Sequence, residues 1–181
     1  MTPALEGMGD TELLAAHVGG HPEAFAVLIG RHQDRLWAVA LRTLRNPHDA
    51  ADALQDAYVC AFRRAHTFRG DARVSTWLHR IVINSCLDRI RYLARRRTDP
   101  LDDELAGLTG PDDDGLTDVV ADALAQISPD QRAALVLVDM EGFSIEEAAE
   151  MLGCPPGTVK SRCSRGRARL APVLRELLAS R

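Results

Sequence analysis

The sequence lacks the features that would indicate a membrane or secreted protein. No stretch approaches the roughly 18 consecutive apolar residues of a transmembrane helix, so we expect no membrane insertion. The N-terminal residues show no basic segment followed by an apolar one, which argues against a signal peptide. We therefore expect a cytoplasmic protein.

Catalytic and metal-binding patterns are also missing. The 4 cysteines, at positions 60, 86, 154 and 163, show no CxxC spacing, and the 6 histidines are scattered. Because there is no phosphate-binding loop and no nucleophile–base motif, the sequence predicts no enzyme, cofactor or metal site. Cys154 and Cys163 form a candidate redox pair, since both are expected at one helix contact. Buried, inert thiols are the alternative interpretation, which we favour.

Charge is distributed in blocks that the net charge of −4 conceals. Residues 63–97 contain 10 basic and 2 acidic residues, and residues 160–181 contain 7 basic and 1 acidic. Between them, residues 98–127 contain 9 acidic residues and no basic one. Two basic blocks separated by an acidic block predict two nucleic-acid surfaces.

Apolar residues recur at helical spacing along the chain, and no segment alternates convincingly as a strand does. The predicted fold is all-α, with two small helical domains joined by an acidic flexible linker. The boundaries are 1–9 for an N-terminal extension, 10–97 and 117–181 for the domains, and 98–116 for the linker. Predicted helices span 11–18, capped by Asp10; about 22–44, with Pro22 in its first turn; 47–66, capped by Asn46; about 74–95; 117–126; and 131–140, preceded by Ser128-Pro129.

A helix-turn-helix is predicted near the end of the chain. Ser144 and Glu147 suit a capping box for its first helix, and Gly153 marks the end of that helix. Thr158 is predicted to cap the second helix, whose basic and hydroxyl side chains suit a DNA major groove. An ordinary helical hairpin with a solvated basic face is the alternative. Pro172 is expected to kink or break the second helix.

The helix over 47–66 has two distinct faces. Its predicted core stripe contains Leu54, Tyr58, Ala61, Phe62 and Ala65. The other face carries Asp49, Asp52, Gln55 and Asp56. A solvated acidic surface is the ordinary interpretation of such a face. Because this helix accompanies the basic blocks, we consider a protein-docking surface at least as good an interpretation.

The helix over 74–95 has an unusual face in addition to its core face. Steps of three and four place on it Arg73, Trp77, Arg80, Asn84, Asp88, Arg91 and Arg95. Trp and Arg present planar surfaces to unstacked bases, and Asn can hydrogen-bond a base edge. This face therefore predicts binding of single-stranded nucleic acid. The alternative places Trp77 in the core beneath the loop at residues 67–72.

Four segments together resemble the motifs of the extracytoplasmic-function sigma factors of bacterial RNA polymerase. They are Asp49-Ala-Ala-Asp-Ala-Leu-Gln-Asp56, Phe68-Arg-Gly, Thr76-Trp-Leu-His-Arg-Ile-Val-Ile-Asn84 and Gly157-Thr-Val-Lys-Ser-Arg162. The resemblance covers about residues 10–178 and, within the family, is to the sigma-M-like members of actinobacteria. It implies a stress-response promoter-specificity subunit that is not an enzyme, with sigma region 2 at 10–97 and region 4 at 117–181.

The resemblance also implies roles for individual residues. Docking on the clamp helices of the polymerase β′ subunit is implied for Asp49, Asp52, Gln55 and Asp56. Opening of the minus-10 element and capture of a flipped-out base are implied for Phe68, Arg69, Arg73, Ser75, Trp77, Arg80, Asn84 and Arg91. Recognition of the minus-35 duplex is implied for Thr158, Lys160, Ser161, Arg162, Ser164, Arg165, Arg167 and Arg169. Further implied partners are the polymerase β flap and an anti-sigma factor, and the linker would pass through the RNA channel.

A stand-alone transcription regulator is the competing hypothesis. It would use the same helix-turn-helix on duplex DNA, with residues 1–97 as a sensor or dimerisation domain. This hypothesis accounts for residues 144–170. It does not account for a second basic helix bearing Trp77 and Asn84, nor for the acidic linker.

Overall fold

The computed structural model describes residues 3–96, 124 and 126–179, and every regular element in these ranges is helical. The predicted linker and most of the predicted helix over 117–126 lie outside the described residues. The helices are α1 (Pro3–Glu6), α2 (Asp10–Val18), α3 (Ala24–Leu44), α4 (Pro47–Arg64), α5 (Val74–Arg96), α6 (Pro129–Leu135), α7 (Ile145–Leu152) and α8 (Pro156–Ala179). A 3₁₀ turn (Ala65–Thr67) follows α4, and a π-helical turn (Val136–Met140) follows α6. The all-α prediction is confirmed.

The first domain packs α2 to α5 around a single core. Its fully buried side chains include Leu13, Leu28, Leu36, Val39, Leu78, Val82 and Ile83. Each such side chain contributes about 1.5–3 kcal/mol when it leaves water, which fixes the faces that α3 and α5 turn inward. None of the described helices is long and apolar enough to cross a membrane.

The junction between α3 and α4 follows the sequence signals closely. Arg45 ends α3 in the left-handed conformation, with φ of 62°, and its N–H donates to the carbonyl of Leu41 at 2.7 Å. Oδ1 of Asn46 accepts from the backbone N–H groups of His48 and Asp49 at 2.9 and 3.1 Å. The predicted cap at Asn46 is therefore confirmed.

Two predicted helix starts in the first domain are wrong. Asp10 is the first residue of α2 and not its cap, because its carboxylate contacts Nε2 of His32 at 2.7 Å. The N–H of Gly9 instead donates to the Glu12 carboxylate at 2.6 Å. Pro22 lies in the turn before α3. At Asp10, a tertiary partner has replaced the local hydrogen bond that the sequence suggested.

The second domain contains a π-helical turn that the sequence did not predict. α6 begins at Pro129, capped by Ser128 as expected, but the predicted continuous helix changes at Val136. The N–H of Glu141 donates to the carbonyl of Val136 at 2.9 Å, and Gly142 follows with a φ of +75°. Such turns are rare and frequently occur at functional positions. This one directs Glu141 towards the first domain.

The predicted helix-turn-helix is formed by α7 and α8. Ser144 and Glu147 make the predicted capping box through bonds of 2.9 and 3.1 Å, and Gly153 ends α7 with a φ of +61°. The predicted cap at Thr158 is wrong, because α8 begins at Pro156 and Thr158 already lies in its first turn. A proline suits this early position, where a helix needs no N–H donor.

The helix α8 continues through Pro172, so the predicted break there does not occur. Pro172 and Ala168, whose carbonyl loses its helical donor to the proline, both lie on the exposed side of the helix. Water can therefore satisfy that carbonyl, which lowers the cost of continuing the helix.

The two domains pack against each other. Helices α3 and α5 contact α6, the π-helical turn and α7. Arg132 of α6 is only 9% exposed, and its Nη1 donates to the carbonyl of Thr43 at 2.9 Å. Thr43 lies in the last turn of α3, where carbonyls lack helical donors, so the buried guanidinium joins the domains at a natural acceptor. Burial, and to a lesser extent Arg45, lowers the pKa of Arg132 to about 10, so it keeps its charge at neutral pH.

Gly166 allows α8 to lie close to α6, which generates a prediction. A Cβ at this position would lie 2.6 Å from Cδ1 of the buried Leu135. We expect Gly166→Ala to lower the free energy of unfolding by about 1–2 kcal/mol, because overpacking outweighs the higher helix propensity of alanine. Denaturant titration followed by circular dichroism measures the change.

Gly157→Ala is the matched control, because a Cβ there meets no atom within 4 Å. This variant should be neutral or slightly stabilising. Equal stabilities for the two alanine variants would contradict the packing argument.

Candidate nucleic-acid interfaces

The outward face of α8 is set by the residues that the helix buries. Val159 and Cys163 are buried against the rest of the second domain. Lys160, Ser164 and Arg165 project from the other side and are exposed. Within the described ranges, neither basic side chain of this trio has an ion pair or hydrogen bond. These three side chains are therefore available to a ligand.

The remaining arginines of the predicted reading helix bind groups inside their own domain. Nη2 of Arg162 contacts the Asp130 carboxylate at 2.7 Å. Arg167 forms a two-point contact with Asp139, at 2.9 Å from Nε and 2.6 Å from Nη2. Hydrogen bonding to this carboxylate raises the pKa of the Arg167 guanidinium. The predicted set of base-contacting residues thus divides into side chains with no partner among the described residues and side chains bound to groups of their own domain, although Arg167 and Arg169 are exposed as well.

Two of the predicted contact residues of this helix, Thr158 and Ser161, are less exposed than Lys160, Ser164 and Arg165. Oγ of Ser161 donates to the carbonyl of Thr158 at 2.9 Å, and both residues are half-buried. Arg169 donates to the carbonyl of Gln126 at 3.3 Å. Ser161 and Thr158 therefore lie at the edge of the exposed surface of α8.

The second predicted surface runs along α5. Arg73, Arg80, Asn84 and Arg91 are exposed, as expected. Arg91 is paired with Asp88 at 2.8 Å on the same helix, an exposed pair of small energetic value.

Trp77 and Phe68 form an aromatic pair at one end of this surface. Their ring centroids lie 5.6 Å apart at an angle of 61°, and both rings are half-buried against the core. Trp77 is therefore partly a packing residue, as its alternative interpretation held, yet part of its ring is exposed. Arg69 and Gly70, with a φ of +81°, make the exposed turn beside the pair. The carbonyl of Ser75, by contrast, bonds to His79 at 2.7 Å.

The acidic face of α4 is partly tied to α5 by an arginine that sequence reasoning missed. Arg89 contacts Asp49 and Asp52, each at 2.8 Å from its Nη2. Gln55 and Asp56 are exposed. Arg89 lies off the face traced by steps of three and four along α5. Only a search for cross-helix charge pairs could have found it.

The predicted core position of Phe62 on α4 is wrong. Its side chain is 53% exposed, next to Val59 at 45% and Val18 at 52%. Phe62 contacts the rings of His17 and Phe25 at centroid distances of 4.4 and 5.3 Å. The periodicity placed Phe62 at the edge of the core stripe, where it covers neighbouring rings but stays in contact with solvent.

The cysteines and metal-ligating residues show no assembled site in the described part of the chain. No three His, Cys, Asp or Glu side chains there are placed to hold a metal ion. Cys154 and Cys163 are both free thiols, and burial raises the pKa of Cys163. A raised pKa disfavours the reactive thiolate.

Comparison with known proteins gives two family matches on this chain. The model described as Sigma-70 region 2 matches residues 28–96, and the model described as Sigma-70, region 4 matches residues 117–170. The chain is 51% identical to the ECF RNA polymerase sigma factor SigM of Mycobacterium tuberculosis, covering 91% of this chain and 84% of that protein. It is 31% identical to the RNA polymerase sigma-H factor of Pseudomonas aeruginosa, covering 93% and 95%.

Two solved structures share the fold. The sigma factor RpoE, co-crystallised with the anti-sigma factor NepR from Bartonella quintana, matches with a TM-score of 0.71 and 31% identity over 84% of this chain and 98% of that one. CnrH in complex with the cytosolic domain of CnrY matches with a TM-score of 0.68 and 29% identity, covering 92% and 97%.

Proposed function

Because the chain belongs to the extracytoplasmic-function sigma factors of bacterial RNA polymerase, we propose a distinct role in promoter recognition for each of three helices. In this proposal α4 docks on core polymerase, α5 opens the minus-10 element and α8 reads the minus-35 element. The protein is a promoter-specificity subunit and not an enzyme, and it acts in the cytoplasm, where the polymerase is.

Recognition of the minus-35 element is supported by the exposed trio on α8. Arg165 offers two parallel N–H donors, the geometry that matches the major-groove edge of guanine. Lys160 contacts phosphate as a flexible point charge, and Ser164 is short enough to let the helix enter the groove. The exposed Arg165, which has no partner among the residues that the structure describes, is the observation that carries this part of the proposal. Arg162 and Arg167 support the helix from its flanks.

Opening of the minus-10 element is supported by the surface along α5. The exposed part of the Trp77 ring is placed to stack on an unpaired base, and Asn84 has an amide that can bond to a base edge. Extruding a base costs a few kcal/mol, and stacking returns about 1–3 kcal/mol per base. Arg69, Arg73, Arg80 and Arg91 supply positive charge for the backbone of the strand. Melting is then a shift of population towards the open duplex and needs no ATP.

Docking on the polymerase is supported by the exposed end of the acidic face. Gln55 and Asp56 are exposed, and Asp52 keeps a largely exposed carboxylate while touching Arg89. An exposed acidic surface of this kind suits a partner that presents basic side chains, and we assign it to the β′ clamp helices. The second domain would contact the β flap, and the acidic linker would occupy the RNA channel.

Control by an anti-sigma factor is supported by the structural relatives. One solved match is a sigma factor in complex with an anti-sigma factor, and the other is CnrH in complex with the cytosolic domain of CnrY. Their sequence identity of 31% and 29% extends over most of this chain. We extend the same form of control to this protein, and with it a role in a stress response.

The division of the α8 arginines gives the first functional prediction. On promoters that the protein transcribes with core polymerase, Arg165→Ala should lose about 1–3 kcal/mol of discrimination at one minus-35 base pair. Transcription of a set of minus-35 point variants measures this preference.

Arg167→Ala is the charge-matched control. It removes the pair with Asp139, which should lower stability by at most about 1 kcal/mol and leave the base preference intact. The role of Arg165 would be refuted if its loss left every minus-35 preference unchanged.

The aromatic and amide groups of α5 give the second functional prediction. Trp77→Ala and Asn84→Ala should leave formation of the closed promoter complex nearly unchanged and slow opening by about tenfold or more, since each removes on the order of 1.4 kcal/mol or more from the open state. Permanganate reactivity of thymines on a supercoiled promoter measures opening.

Trp77→Phe is the conservative control, because it keeps a ring that can pack on Phe68 and stack on a base. It should restore most of the opening rate. Opening at the wild-type rate in both alanine variants would show that this surface does not hold the melted strand.

A further inference from the structure

A buried carboxylate joins the two domains. The Glu141 side chain is 4% exposed and inserts between helices of the first domain. One carboxylate oxygen lies 2.6 Å from Nε of Arg35 and the other lies 3.3 Å from Nη1 of Arg42. Nε2 of the buried His79 lies 3.7 Å from the oxygen that Arg35 contacts and has no hydrogen-bond partner within the described residues. Burial lowers the pKa of His79, and its Nδ1 donates to the Ser75 carbonyl, so the neutral ring borders the carboxylate without donating to it. Arg35, Arg42 and His79 all belong to the first domain.

The position of Glu141 is unfavourable within its own domain. It directly follows the π-helical turn, where backbone carbonyls point outward and a negative charge is disfavoured by the helix dipole. Burial adds a desolvation cost, which a carboxylate recovers only from well-placed cationic donors. Arg35 supplies one such donor through Nε, and its Nη2 also donates to the backbone carbonyl of Glu141 at 3.2 Å. The buried position of the Glu141 side chain is therefore stabilised by contacts with the first domain and not by the fold of the second domain.

We propose that Arg35 and Arg42 form a carboxylate-binding pocket, with the His79 ring as one wall, that Glu141 fills in cis, and that this contact holds the free chain in a closed, promoter-incompetent form. The inhibitory part of this proposal rests on the proposed function. The pocket itself rests only on the geometry of the two domains.

The closed form covers part of the surface assigned to the minus-10 element. Helix α7 packs against α5, and Nδ2 of Asn84 donates to the carbonyl of Met151 at 3.2 Å. Phe143, beside Glu141, packs edge-on against His79 with ring centroids 5.1 Å apart. Nδ2 of Asn84 also donates to the Arg80 carbonyl at 2.8 Å, so in the closed form both amide hydrogens are engaged and closure competes with their use in strand capture.

The dimensions of the promoter lead to the same conclusion. The names of the two elements place them about 25 base pairs apart, which is about 85 Å of duplex at ~3.4 Å per base pair. A compact chain of 181 residues has a radius of gyration of about 16 Å, and hence a diameter of roughly 40 Å. Packed domains cannot reach both elements at once. The contact at Glu141 must therefore open before the promoter is bound.

Glu141→Gln is the direct test, since it keeps the shape of the side chain and removes its charge. Small-angle X-ray scattering of the full chain should show a radius of gyration larger by several Å than that of the wild type. Arg35→Gln should give the same expansion, because it removes a cationic partner of Glu141. The Arg35 side chain is 59% exposed, so this substitution leaves no cavity in the core. Glu146→Gln, an exposed carboxylate on α7, is the charge-matched control and should leave the scattering unchanged.

The inhibitory consequence is tested by assembly with core polymerase and a promoter fragment. Glu141→Gln should reach half-saturation at a concentration about threefold lower or more, because a larger fraction of the free chain is then already in the open form that can bind. Scattering curves that superimpose for the wild type and Glu141→Gln would overturn the pocket. An expanded variant that assembles no more readily than the wild type would overturn the inhibition. A wild-type chain that never binds core polymerase would instead refute the proposed function, and the scattering comparison would still decide the pocket.

Discussion

The ion pairs of Glu141 with Arg35 and Arg42 are the contact on which the arrangement of the whole molecule depends. Each domain has its own core and its own basic surface, and the chain between them is acidic and long. Packing of α7 on α5 and of Phe143 on His79 helps to set how the two surfaces face each other. The buried carboxylate does so as well, with the Arg132 guanidinium fastened to the end of α3 as a second point of attachment.

A common principle governs the charged side chains on both candidate DNA surfaces. Some arginines are paired with carboxylates and set the position of a helix, as Arg167 does with Asp139 and Arg89 does with Asp49. Others, such as Arg165, remain exposed. Pairing reduces repulsion within each basic block and leaves a small number of side chains to select a sequence. The Arg89 pair also connects the acidic face of α4 to α5, so docking on the polymerase and opening of the DNA would act on adjoining helices.

The sequence predicted several helix ends from local interactions. Asn46, Ser144 and Gly153 each act through backbone groups within a few residues, and all three mark helix ends as expected. Other local signals were misleading, at Pro22 and Thr158 by one turn or less and at Pro172 because the helix does not break there, and at Asp10 a distant partner is present. The Asp10 carboxylate contacts His32 and does not cap α2. Helical periodicity predicted Phe62 in the core, but periodicity does not show which positions lie at the edge of the core, where Phe62 is exposed.

The candidate site shows the same limit. Helical spacing correctly collected the basic and aromatic side chains of α5 and α8, because residues three and four apart share a face. It could not separate exposed arginines from paired ones, since their carboxylate partners lie on other helices. Neither could it identify Glu141, whose direction depends on a π-helical turn with no recognisable sequence signal. Helical spacing therefore predicted which side chains share a helix face, but it did not predict how the two domains contact each other.

The central claim is that this chain gives core RNA polymerase the ability to select promoters by two separate elements. Transcription in vitro tests it most directly, with core polymerase, this protein and a pool of DNA templates with randomised upstream sequences, followed by sequencing of the RNA products. The account predicts start sites that share two short upstream motifs at a fixed spacing, absent when the protein is omitted. Initiation with no shared motifs, using core enzyme that is active with another sigma factor, would contradict it.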